Sequence, residues 1–156
     1  MILLKDYNST NNNEKLLMLA VNIEDLEYAD IGDILLYNEI PFTGLGYSLY
    51  SDGKLRELIP YKNGFVDGIC REWYPNGRIK KECELKRGKS NGRKIYWNEN
   101  GTIKSIANFE LGIELDYQEW DEQGKLIKSR KLDTSNSNSK YELLLNLRDI
   151  ENKREY

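Results

Sequence analysis

The chain has 156 residues, a formal net charge of -3, and 31% charged against 39% hydrophobic residues, the balance of a soluble globular protein of one domain with tails. The mild acidity, with no basic stripe, argues against a nucleic-acid binder, and no apolar run approaches the roughly 18 residues of a membrane helix. Histidine is absent, which removes the commonest general base and the usual zinc ligand sets, so no metal, cofactor or catalytic centre is expected.

The amino-terminal MILLKDYNSTNNNEK lacks the basic start and long apolar core of a secretory signal, and a cytoplasmic protein is expected. Ile2 to Asp6 predicts a strand, and the asparagine-rich tract after it a loop. Lys15 to Leu26 carries a continuous apolar run that fits a buried strand or a short helix, with Val21 and Ile23 favouring strand. Asp25 to Asp33 is acidic and turn-like, Ile34 to Tyr37 predicts a strand, and NEIPFTG leads into a region of regularly spaced glycines.

From Gly44 to Leu132 the chain is a repeat. Gly44, Gly68 and Gly92 are spaced by 24, as are Gly53, Gly77 and Gly101, and Gly64, Gly88 and Gly112. Leu49, Trp73, Trp97 and Trp120 keep nearly the same step, as do Leu55, Ile79, Ile103 and Leu126. Tyr61, Leu85, Phe109 and Leu132 make a sixth series, and six in register signal an array of one small supersecondary unit. In the second copy, two alternating runs flank Pro75-Asn76-Gly77, where proline presets φ and glycine supplies φ > 0. With Trp73 facing Ile79, the loop is the three residues 75 to 77. Each copy is then a β-hairpin, and four copies form an antiparallel meander of about eight strands, a mainly β fold in one elongated, twisted layer.

Simple alternation from that pairing gives an apolar face containing Ile59, Tyr61, Ile69, Trp73, Leu85, Ile95, Trp97, Phe109 and Trp120. The opposite, wetted face collects Glu72, Lys80, Glu82, Glu84, Lys94, Lys104 and Glu119 with Tyr50, Tyr74, Tyr96 and Tyr117. The same register sets Cys70 opposite Glu82 and Cys83 opposite Ile69, so the two thiols point to opposite faces and stay reduced. The carboxylates sit among Arg71, Arg78, Lys80 and Lys81 and read as a solvated ion-pair lattice rather than a catalytic pair. Gly88-Lys89-Ser90 occupies a repeat turn and lacks the earlier glycine of a phosphate loop, position 83 being cysteine.

After Leu132, DTSNSNS is a linker (133–139), and a helix of about three turns is expected within 140–156. Ser139 with Glu142 forms a capping box, and Tyr141, Leu144, Leu145 and Arg148 share one face.

The segments PFTGLGYSLYSDGKL, GICREWYPNGRIKKE and GRKIYWNENGTIKS resemble the variant MORN repeat, and they are most similar to the YwqK-type bacterial antitoxin and immunity proteins. The resemblance runs over about residues 34 to 132 and departs from the pattern at Asp116 and Leu49. It implies a protein that binds and neutralises a cognate protein toxin; no enzymatic site is expected, and the net acidity argues against a nucleic-acid or membrane partner. Exposed tyrosine amid charge is what protein-binding surfaces tend to contain, so Tyr50, Glu72, Tyr74, Glu82, Glu84, Tyr96, Tyr117 and Glu119 are the expected contact residues. An acidic face would suit a basic, nuclease-type toxin. The other reading is a MORN-type scaffold or membrane-proximal module.

Overall fold

Two kinds of glycine turn fold the repeats. The computed structural model describes residues 20–30, 33–135 and 139–154; the expected strand at Ile2 to Asp6 and the loop after it lie outside these. The array is built from β5 (Gly44–Leu49), β6 (Leu55–Lys62), β7 (Phe65–Val66), β8 (Gly68–Trp73), β9 (Ile79–Lys86), β10 (Lys89–Trp97), β11 (Ile103–Glu110), β12 (Ile113–Trp120) and β13 (Leu126–Lys131). Within each copy a three-residue loop closes the hairpin: the Tyr74 N–H donates to Arg78 O, and the Gly77 N–H donates back to Tyr74 O, each at 2.8 Å. The turns at Tyr50, Asn98 and Asp121 repeat both bonds, so the fourth hairpin is folded like the others.

Between copies the turns have two residues, Asn63-Gly64, Arg87-Gly88 and Leu111-Gly112, and every one of these six residues has positive φ. That is the type I′ turn, whose twist matches the strands it joins. A side-chain oxygen one residue before each repeat glycine ties the next such turn down. Thr43 Oγ1 accepts from the Asn63 N–H, Asp67 Oδ2 from Arg87, and Asn91 Oδ1 from Leu111, at 2.8, 3.1 and 3.0 Å.

The long strands pair in the order β5-β6-β8-β9-β10-β11-β12-β13, with β7 on β6. This is the expected antiparallel meander, with one addition. Strand β1 (Ala20–Asn22) joins β5 in parallel, Val21 facing Gly46, so the strand reading holds for these three residues, whereas Ile23–Asp25, where a strand was favoured, is one turn of 3-10 helix capped by the Asn22 side chain. A second, three-stranded sheet comprises β2 (Glu27–Tyr28), β3 (Leu35–Tyr37) and β4 (Ile40–Pro41), which places a strand inside the segment read as turn.

This small sheet caps the start of the array. Leu26, Leu35, Phe42 and Tyr61 are buried together, with Val21, Ile59 and Val66 against them. Burying a large apolar side chain is worth about 1.5–3 kcal/mol, so this cluster closes the end that a repeat would otherwise leave bare. The first inter-repeat turn is the docking point: the Leu35 N–H donates to Gly64 O (2.9 Å) and the Gly64 N–H donates to Phe42 O (2.7 Å).

The carboxy-terminal helix α1 spans Ser139–Arg154, 16 residues and so about four turns rather than three. Its buried contact is Leu144, 1% exposed. Leu145, expected on the same face, is 44% exposed. Arg148 is also exposed and forms a bidentate pair with Glu110, both nitrogens at 2.6 Å. Glu151 and Asn152 share a cleft with Lys86, Asn91 and Leu111 beside the inter-repeat turns.

Candidate protein-binding face

The face assignment turns on one residue per hairpin. Trp73 faces Ile79 as expected, but Glu72 faces Lys81, so Lys80 is an extra residue on β9. Arg56, Lys104 and Ile127 are extra in the same place of the other hairpins. Such a bulge reverses the parity of the strand beyond it. The expected apolar face is therefore a mixture of two real ones, and so is the expected wet face.

The tryptophan face carries Tyr47, Leu58, Arg71, Glu82, Ile95, Ile106 and Gln118 in one cross-strand row. Trp73, Trp97 and Trp120 follow two residues along, all partly buried. The opposite, tyrosine face has Ser48, Glu57, Glu72, Lys81, Tyr96, Ser105, Glu119 and Lys128 in one row. The next row reads Cys70, Cys83, Lys94, Ala107, Tyr117 and Arg130.

The expected contact residues divide accordingly. Glu72, Tyr96, Tyr117 and Glu119 come together on the tyrosine face. Glu82 and Glu84 lie on the other: Glu82 Oε2 accepts from Arg71 Nε at 2.8 Å, and Glu84 faces Ile69. Tyr50 and Tyr74 sit at the tight turns and are already engaged. The Tyr50 hydroxyl donates to Trp73 O (2.6 Å) and the Tyr74 hydroxyl to Trp97 O (2.8 Å), each tying one hairpin to the next.

Lys94 lies on this face as expected, and Lys81, Lys128 and Arg130, which alternation had set on the other side, join it. The Lys81 and Lys94 ammonium groups each stand 5.9 Å from the Tyr96 ring centre. The Arg130 guanidinium stacks on Tyr117 at 4.0 Å, with Lys128 at 5.9 Å. Arg130 also holds Glu114 at 2.5 and 2.8 Å, which draws the Glu114 carboxyl below its ordinary range. Burial, followed by the hydrogen bond to Glu119 at 2.8 Å, raises the Tyr117 hydroxyl. In the two central rows, Glu57, Glu72 and Glu119 meet Lys81, Lys94, Lys128 and Arg130, so this face carries both signs of charge and is not acidic. Its chemistry is that of cation–π pairs and charge-assisted hydrogen bonds, which suits recognition. Among the described residues no group of three metal-ligating side chains converges.

Residues 42–63, 66–87 and 90–110 match the model of the MORN repeat variant, one hairpin each. The immunity protein YwqK of Bacillus subtilis (strain 168) is 51% identical over 120 residues, covering 74% of this chain and 78% of that protein. The chain belongs to the YwqK family of MORN-variant repeat proteins. No solved structure matches it. The fourth hairpin, outside the three matched repeats, keeps the turn bonds but has Asp116 for the repeat glycine. Gly68 and Gly92 have φ of 123° and 124°, whereas the Asp116 carboxylate instead accepts from Asn108 Nδ2 at 2.7 Å.

Proposed function

We propose that this chain is a cytoplasmic immunity protein that acts as an antitoxin, binding a cognate protein toxin and neutralising it without catalysis by covering its active site or an adjacent surface. The observation that carries the reading is the 51% identity to the immunity protein YwqK. The geometry supports the tyrosine face as the contact, centred on Tyr96 and Tyr117 with Glu72 and Glu119. Two partly buried aromatic rings held flat by cations lose little freedom on binding, and their neighbours offer both signs of charge. A basic, nuclease-type toxin would be drawn by the net charge of -3 and not by this face, whose cations match or outnumber its carboxylates.

Co-expression with the product of the adjacent gene tests this. Relief of that product's toxicity is expected, together with a co-purifying equimolar complex. Tyr96→Ala with Tyr117→Ala is expected to weaken the complex at least about tenfold with the fold intact by circular dichroism. Full affinity in that double variant would move the contact to another face; a toxic neighbour that is neither bound nor relieved would remove the immunity reading.

A further inference from the structure

The second hairpin carries both cysteines of the chain, and the bulge at Lys80 brings them opposite each other: Cys70 faces Cys83 across β8 and β9. The expected opposite-face arrangement is thereby reversed. Directly paired residues of antiparallel strands have Cα atoms about 4.5–5.5 Å apart, within the roughly 4.4–6.8 Å that a disulfide spans. Both side chains leave the tyrosine face.

The surroundings divide the two sulfurs into roles. The facing Cys70 thiol draws the Cys83 thiol down, against its burial, and Lys81 and Lys94 add to the effect. The facing Cys83 sulfur and then burial push Cys70 up. One sulfur is thus the better thiolate, and a neutral thiol lies within reach of it, the arrangement of an attacking and a resolving cysteine. Cys83 is 6% exposed and Cys70 partly exposed, and both line a cavity of about 200 Å³ with Glu57, Ile59 and Lys81. A hydroperoxide, little larger than the roughly 30 Å³ share of a water, fits that space. The 6% exposure of Cys83 disfavours attack on a bulky disulfide such as oxidised glutathione.

We propose that Cys70 and Cys83 form a dithiol site that small hydroperoxides oxidise to a disulfide within the hairpin. The Cys83 thiolate attacks one peroxide oxygen, the O–O bond breaks, and Cys83 becomes a sulfenic acid. The leaving hydroxide (an alkoxide from an organic hydroperoxide) takes up the proton that Cys83 had released. Cys70 then attacks the Cys83 sulfur; the S–S bond forms, the S–O bond breaks, and the departing hydroxide leaves as water with the Cys70 proton. Two thiols lose two electrons, and one peroxide is reduced.

The test uses the full chain, folded and reduced, with about one equivalent of hydrogen peroxide. Both thiols are expected to disappear from a thiol titration, the intact mass to fall by about 2 Da, and peptide mapping to join Cys70 to Cys83 in a monomer that dithiothreitol restores. Cys70→Ser is expected to stop at a sulfenic acid on Cys83 that dimedone labels. Cys83→Ser is expected to lose its remaining thiol at least about tenfold more slowly than the wild-type protein loses its own. Thiols that survive excess peroxide in the folded wild-type protein would overturn the proposal, and that result needs no variant to fold. So would oxidation to intermolecular dimers, or mixed disulfides with added oxidised glutathione forming faster than the internal bond.

Discussion

Alanine at Gly64, Gly88 and Gly112 asks whether the amino-terminal sheet is a true cap, because the three positions are equivalent in the repeat and differ only in what touches them. Their φ values are 79°, 77° and 87°, so alanine carries a similar left-handed penalty of about 1–2 kcal/mol at each. At Gly88 and Gly112 a Cβ would meet nothing within 4 Å. At Gly64 it would overlap the Ile34 Cγ2 methyl and sit 2.8 Å from Leu35 O. The turn or the cap must then move, adding about 1–3 kcal/mol of overpacking. The Gly64 bonds to Leu35 and Phe42 are strained with it, each worth about 1 kcal/mol. Gly64→Ala is therefore expected to cost about 3–5 kcal/mol, and Gly88→Ala and Gly112→Ala about 1–2. Urea unfolding followed by circular dichroism measures all three, with unchanged slopes required for the comparison. A Gly64→Ala cost within about 0.5 kcal/mol of Gly88→Ala would refute the docking of β2-β3-β4 on this turn.

Two further effects arise from single contacts. Arg87 is exposed at φ 50°, where the first repeat has Asn63, so Arg87→Asn is expected to raise stability by about 0.5–1 kcal/mol in the same unfolding assay. The Arg148 hydrogen bonds hold the Glu110 carboxyl below its ordinary value of 4.5, and because the folded value is the lower one, the pair stabilises α1 above about pH 4.5 and loses its effect as pH falls through the folded value. Protection factors over 139–154, which divide out the pH dependence of intrinsic amide exchange, are expected to fall in that window in the wild-type protein, and Arg148→Ala is expected to remove that fall.

The repeat, its hairpins and its turns were legible because glycine answers a backbone demand that no other residue meets as well, and the demand recurs every 24 residues. The faces were not legible from period alone. A one-residue bulge directly after each tight turn leaves the spacing of every series unchanged while reversing which residues share a side. A signal was present in the charges. The unbulged register sets Arg71 against Lys81, whereas the real one gives Arg71–Glu82 and Glu72–Lys81. Weighing those pairs would have found the bulge, and with it the facing cysteines and the cations on Tyr96 and Tyr117. The amino-terminal cap was less visible still. Its strands have two or three residues each, too few for alternation to register, and its core is assembled from Leu26, Leu35 and Phe42 with Tyr61 of the array.

Tyrosine itself carries two meanings in this chain, and chemistry separates them where sequence cannot. Tyr50 and Tyr74 precede a turn, and each hydroxyl reaches a tryptophan carbonyl 23 residues further on, so they are rungs between hairpins. Tyr96 and Tyr117 lie in mid-face under cations. Tyr74→Phe leaves Trp97 O without that donor and is expected to cost about 1 kcal/mol, a fall of about 2–4 °C in Tm for a domain of this size. Well below Tm the variant is expected to bind the cognate partner with unchanged affinity in titration calorimetry. Tyr96→Ala has the opposite expectation: weaker binding with a small change in Tm. If Tyr74→Phe instead left Tm alone and weakened binding, the turn tyrosines would belong to the contact surface, and the partner would approach along the hairpin ends and not over the middle of the sheet.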